Sequence, residues 1–151
     1  LALALLPELQ EKLQKIEEKP IVEVYEGKEG FVSLLHKIIR VGKPIYAIAP
    51  SEEWAHRFPL QLQQYYKERE KNKIPAKLLY IKGTKIVYKH KLNTIRYLPT
   101  AFSHPTTIVI FGDYVAIFMW SDPLVATLTK SKNMNVSFQK YFDVLWKIAN
   151  P

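Results

Sequence analysis

IVEVYEGKEGFVSLLHKIIRVGKPIYAIA, residues 21–49, is the stretch on which the fold turns. Ile21, Val22, Val24 and Tyr25 form a short extended run, ended by a Gly27-Lys28-Glu29-Gly30 turn. Phe31, Leu34, Leu35 and Ile38 then recur at three- and four-residue intervals, one face of a helix, and Gly42 supplies the left-handed residue that closes it. Residues 44–49 are a second apolar strand. The rhythm continues downstream. Ser51 is suited to cap a helix carrying Trp54 and Phe58, Pro59 breaks that helix and restarts it through Leu62, Tyr65 and Tyr66, and residues 76–81 are a third strand. Strand, helix, strand, helix, strand is the pattern of crossover units, with helices covering a parallel sheet.

Toward the C-terminus the pattern changes. Residues 94–98 read as a strand, and 106–111 and 114–120 flank Gly112-Asp113 as a hairpin. Residues 124–129 add another strand. A long last helix places Phe138, Tyr141, Phe142, Leu145, Ile148 and Ala149 on one stripe. The expected fold class is therefore α/β, a mixed sheet sandwiched by helices, over residues 20–151. Toward the N-terminus, in residues 1–19, Leu6, Leu9, Leu13 and Ile16 are spaced three, four, three, and Ala2 extends that seam backwards by four. This is the seam of a coiled coil, although a plain amphipathic helix laid on the domain gives the same spacing. Pro7 fits only a first turn, so the helix is expected to begin near Leu6. About two heptads are marginal alone. The chain opens at Leu1 without Met, and the seam reads as the end of a longer stalk.

With 48% hydrophobic and 24% charged residues, the 151-residue chain has the composition of one ordinary globular domain. It has no cysteine, which removes disulfides and thiolate metal sites and suits a reducing cytoplasm. A net charge of +8 favours acidic partners, nucleic acid among them, or serves solubility alone. No apolar run is long enough for a membrane span. The histidines at 36, 56, 90 and 104 lack ligand spacing, so no metal site is predicted, and no phosphate loop or other cofactor signature is present. Trp54, Trp120 and Trp146 lie in apolar periodic contexts that predict core packing. Lys82, Lys85, Lys89 and Lys91, interleaved with Tyr88, form a basic segment. It reads either as a lysine-protected edge strand or as a contact for a phosphate backbone, the latter making the chain a stand-alone nucleic-acid-binding protein.

Several segments, in order and interval, resemble the TrmB family of archaeal transcription regulators. They are VEVYEGKEG at 22–30, YKERE at 66–70 leading to Ile74, RYLP at 96–99, GDYVAI at 112–117 and SFQKYFDVLWKIA at 137–149. The resemblance implies a phospholipase-D-like domain behind a coiled-coil stalk that pairs two chains, with DNA bound by a winged helix outside this sequence. It also implies a homodimer and a small-molecule effector. Active phospholipase-D-type sites carry His, any residue, Lys, four residues, Asp. With Asp113 at the aspartate, Thr106 stands at the histidine and Ile108 at the lysine, while Trp120-Ser121 stands for Gly-Ser and Leu124 for Asn. The groups that attack and clamp a phosphodiester are missing, so no catalytic residue and no enzyme activity are expected. His104 is two residues off register, about 7 Å along a strand. Sugar-sensing members carry an extra C-terminal region; this chain stops at Pro151, which argues against sugar sensing. A ligand in an open α/β sheet belongs at the C-terminal ends of the parallel strands, where Glu26, Lys28, Ser51, Glu52, Arg96 and Trp120 are the candidates.

Overall fold

The computed structural model describes the backbone of residues 2–151, and the side chains of these except 2 and 14–18. Five α-helices and seven strands follow in the order α1 (Ala2–Glu18), β1 (Ile21–Glu26), α2 (Gly27–Val41), β2 (Ile45–Ile48), α3 (Glu53–Arg57), α4 (Pro59–Lys71), β3 (Ala76–Ile81), β4 (Asn93–Leu98), β5 (Thr106–Phe111), β6 (Tyr114–Met119), β7 (Val125–Lys130) and α5 (Lys132–Ile148). The strands form one mixed sheet in the order β1-β7-β6-β5-β2-β3-β4. β2, β3 and β4 are parallel neighbours, and every other pairing is antiparallel.

Both faces of the central strands are buried, which is why they read as nearly continuous apolar runs rather than alternating ones. Ile45 and Ala47 of β2, Leu78 and Tyr80 of β3, and Val109 and Phe111 of β5 face the α2–α4 layer, with Phe31, Leu34, Leu35, Ile38, Leu62 and Tyr65. The alternate residues Ile48, Leu79, Ile81 and Ile110 face Phe142 of α5, with Phe138, Leu145 and Trp146 packed around them. The last helix thus covers one face alone. Its start is fixed by Ser131, whose hydroxyl accepts from the Met134 amide at 3.2 Å. Gly42 ends α2 at φ 65°, its amide bonded to the Ile38 carbonyl, as its position after the apolar stripe predicts.

The structure differs from the sequence reading in four places. Gly27–Gly30 is not a turn: Gly27, at φ 63°, swings the chain directly from β1 into α2. β1 is separated from β2 by β7, β6 and β5, because its hydrogen-bonding edge is taken by the last strand of the hairpin half. The Lys82–Lys91 segment is not an edge strand but an extended strap between β3 and β4, outside the sheet; β4 itself is the edge. α1 begins at Ala2 with Pro7 inside it. The helix forgoes one amide bond there, to the carbonyl of Leu3, whose side chain stands in solvent. Leu6, Leu9 and Leu13 are exposed along α1. The side chain of Ile16, the fourth residue of the seam, lies outside the described residues.

Candidate functional site

At the C-terminal ends of β2 and β3 and the start of β5 the sheet opens into a crevice of about 580 Å³. Its walls include Ser51, Glu52, His56, Lys82, His104, Thr106, Thr107 and Trp120. Its floor is a chain of hydrogen bonds. Trp120 donates its indole N–H to Thr107 Oγ1 at 3.0 Å, and Thr107 donates on to the Ala49 carbonyl at 2.8 Å. Ala49 sits at φ 53°, where L residues rarely go, so the chain leaves β2 in a sharp and strained turn. Thr107 is fully buried and serves both partners, which locks β2, β5 and the end of β6 together.

A second set of bonds fixes the rim. Arg57 reaches from α3 across to the Ser121 and Trp120 carbonyls, the latter at 3.0 Å, while its Nε pairs with Glu53. Ser51 caps α3 one residue earlier than a formal N-cap, its hydroxyl accepting from the Glu53 amide at 3.1 Å. Glu52 accepts from the Lys85 amide at 2.6 Å and faces His56 Nε2 at 3.9 Å.

The crevice thus unites three of the six ligand candidates, Ser51, Glu52 and Trp120. Glu26 and Lys28 lie at the same end of the sheet, because β1 and β2 run in the same direction. They are four strand places away, about 19 Å. Arg96 is committed elsewhere: it donates to the Trp146 carbonyl at 2.7 Å and stacks over that indole at 4.6 Å, fastening the end of α5 to β4. The strap lysines Lys82, Lys85, Lys89 and Lys91 are all exposed, and Lys91 pairs with Glu70 at 2.7 Å.

Set against the chemistry of phosphodiester cleavage, β5 carries Thr106 and Ile108 on one face, and of the two Thr106 lines the crevice. Thr106 bonds His104 Nδ1 at 3.2 Å, and Ile108 packs into the α5 core. Asp113 sits in the β5–β6 turn, a strand length of about 17 Å or more from Thr106, where its carbonyl receives the Ser131 amide. Ser121 donates to the Pro123 carbonyl at 2.8 Å. Among the described residues no cluster of three His, Asp or Glu side chains could hold a metal, and no helix is long and apolar enough to cross a membrane.

Sequence reasoning did not bring two crevice residues together and did not see one buried charge. His56 and His104 read as scattered in the chain and meet at the crevice through the antiparallel pairing of β2 with β5. Arg69 is a charged residue buried in the α4 face; its spacing from Tyr65 and Tyr66 was the signal that it belongs to the apolar stripe.

No family model and no curated protein matches the sequence. Among solved structures, NucT from Helicobacter pylori superposes with a TM-score of 0.61 at 13% identity, over 87% of this chain and 99% of its own. Nuc from Salmonella typhimurium, a phospholipase D family member, gives 0.61 at 12%, over 87% and 97%. TrmBL2, an archaeal chromatin protein that binds DNA, gives 0.58 at 16%, over 99% of this chain but 60% of its own, so the chain spans less than two thirds of that protein. At these identities the likeness is one of fold, and the chain has the phospholipase-D-like fold that NucT, Nuc and TrmBL2 share.

Proposed function

We propose that this domain is the dimerisation and effector portion of an archaeal TrmB-type transcription regulator, catalytically inactive, with DNA bound through a winged-helix domain outside this sequence. The observation that carries the reading is coverage. The likeness to TrmBL2 extends over 99% of the chain and that to NucT and Nuc over 87%. The difference, 99 minus 87, is 12% of 151 residues, or about 18, the size of the 17-residue α1. The solvent-facing leucines of α1 support a pairing role, since two-fold pairing is what sets the spacing of DNA-binding heads. Residues 1–19 are then the stalk and 20–151 the domain, and the protein works in the cytoplasm beside its DNA. An effector would enter the crevice at Ser51, Glu52 and Trp120.

Inactivity is supported by Thr106 and Ile108, which offer neither a nucleophilic imidazole nor a phosphate clamp at the start of β5. The test is incubation with an activated phosphodiester, bis(p-nitrophenyl) phosphate: no turnover is expected, and turnover that disappears in His104→Ala would overturn the inactive reading. Pairing is tested by sedimentation equilibrium, where a strict monomer at high concentration would overturn the dimer. A second reading, direct nucleic-acid binding by the strap, is favoured by its four exposed lysines. It requires retention of DNA or RNA at low salt that weakens steeply as salt rises.

A further inference from the structure

β1, β2, β3, β4 and β6 run one way through the sheet, and β5 and β7 run the other. The end opposite the crevice is therefore where α2 and α4 stop, where β7 stops and where α5 starts. Lys37 and Arg40 at the close of α2, Lys43 before β2, Lys73 before β3, Lys130 at the end of β7 and Lys132 at the start of α5 all meet there. Lys37 is half-buried and the other five are exposed. Among the described side chains, the loops of this end bring one carboxylate, Asp113, and none of the six cations has an ion-pair partner. At the crevice end, Glu26, Glu29, Glu52, Glu53 and Asp122 offset the lysines and arginine. The excess behind the net charge of +8 thus lies toward one end of the sheet.

Three of these cations converge. Lys37 Nζ and Lys130 Nζ lie 5.3 and 5.8 Å from the centre of the Tyr114 ring. Lys43 and Lys130 line, together with Tyr114, one groove of about 450 Å³. The stem of Lys43 passes over Gly112, where a Cβ would stand 3.7 Å from its Cγ and 2.8 Å from Val41 Cγ1. Ammonium groups gathered about one ring repel each other, and the ring attracts them without neutralising them. The cations also form a row. Lys130 ends β7 and Lys73 precedes β3, four strand places apart, about 19 Å. Along that length duplex DNA presents about eleven phosphate charges, at about 1.7 Å each, whereas an extended acidic peptide presents about six at most.

We propose that this end of the sheet binds the phosphate backbone of duplex DNA, with Lys37, Lys43 and Lys130 around Tyr114 at the centre of the contact. A polyanion supplies the counter-charge that the six cations lack, and release of its counterions drives the binding. The surface is distinct from the strap, whose Lys82 and Lys85 follow β3 at the crevice end. The inference does not rest on the reading as a regulator, since it concerns this chain without any DNA-binding head.

The test is fluorescence anisotropy of a short labelled duplex of mixed sequence, titrated with the 151-residue chain at salt from about 50 to 200 mM. Three to six phosphate contacts give a slope of log affinity against log salt of about −3 to −5. Lys43→Gln with Lys130→Gln should flatten that slope by about 2 and weaken binding at the lowest salt, while Lys82→Gln with Lys85→Gln should leave both unchanged. All four side chains are exposed, so both variants keep the core intact. Polyglutamate at the same salt is expected to bind at least tenfold more weakly than the duplex. No retention of the duplex at the lowest salt, a slope that the Lys43 and Lys130 changes leave intact, an equal loss in the strap variant, or polyglutamate held as tightly as the duplex would overturn the proposal.

Discussion

Replacing Thr107 by valine would test the crevice floor, because the change keeps the shape of the side chain and removes only its hydroxyl. That hydroxyl is fully buried, donates to the Ala49 carbonyl at 2.8 Å and accepts from Trp120 Nε1 at 3.0 Å. Its loss leaves a carbonyl and an indole N–H unpaired, at about 1–3 kcal/mol each. Trp120 is only partly buried and can recover some hydration, so the expected total is about 2–4 kcal/mol. With a urea slope of about 2 kcal/mol/M, the unfolding midpoint should fall by about 1–2 M at unchanged slope. Trp120→Phe serves as the partner variant, since it removes one donor and leaves the Thr107–Ala49 bond. In the Thr107→Val background that substitution loses no hydrogen bond, so the double-mutant cycle should show a coupling of about 1 kcal/mol. A loss below about 1 kcal/mol in Thr107→Val, or no coupling in the cycle, would show that the floor is not held by this relay.

Phe142, 1% exposed and stacked on Trp146 at 5.6 Å, anchors the whole α5 face; Phe142→Ala should cost about 3–5 kcal/mol, read as a fall in Tm of about 6–20 °C. Ser131→Ala removes the only side-chain cap shown for α5 and should cost about 1 kcal/mol in the same assay. Burial, with Arg69 nearby, holds the His90 imidazole below its ordinary value. A depressed histidine takes up its proton less readily folded than unfolded. Its contribution to stability is therefore complete above the ordinary histidine range and is lost as pH falls from about 6.5 toward the folded value. Denaturation at pH about 7.5 and 5.5 should show this decline, and His90→Gln should flatten it; an equal decline in the variant would assign it elsewhere.

How much could be read beforehand depended on whether the signal was local. The Phe31, Leu34, Leu35, Ile38 stripe and its Gly42 stop sit within one helix, as does the Gly112-Asp113 hairpin turn between its two strands, and both were legible. The position of β1 was not, because the partner it chooses, β7, lies a hundred residues away and only the register across six residue pairs decides it. The strap misled for a related reason. Its inward Ile86, Tyr88 and His90 alternate with outward Lys85, Val87, Lys89 and Lys91, which is strand periodicity without a sheet, since the residues pack on α4 and form no ladder. Of the site candidates, Ser51, Glu52 and Trp120 followed from the rule that ligands gather at the ends of parallel strands. Arg96 broke that rule because an arginine on a strand can serve a helix packed across it, and Arg69 was hidden because a charged residue on an amphipathic helix reads as solvated until its neighbours are known.

The proposed regulator requires two chains to pair through α1. Leu6, Leu9 and Leu13 retain 48%, 54% and 59% of their exposure, so burying what remains of each is worth about 0.7–1.5 kcal/mol, half the value of a full leucine. Six such leucines give about 4–9 kcal/mol across a dimer, against an association cost of about 4 kcal/mol or more. The described leucines of α1 alone therefore predict at most a weak dimer, sensitive to any charge placed in the seam. Sedimentation equilibrium of the chain across a wide concentration range, beside the Leu9→Glu variant, measures this directly. Reversible dimerisation of the native chain, abolished by Leu9→Glu without loss of folded structure, is expected; a native chain that stays monomeric at the highest concentration, or a dimer indifferent to Leu9→Glu, would contradict pairing through α1.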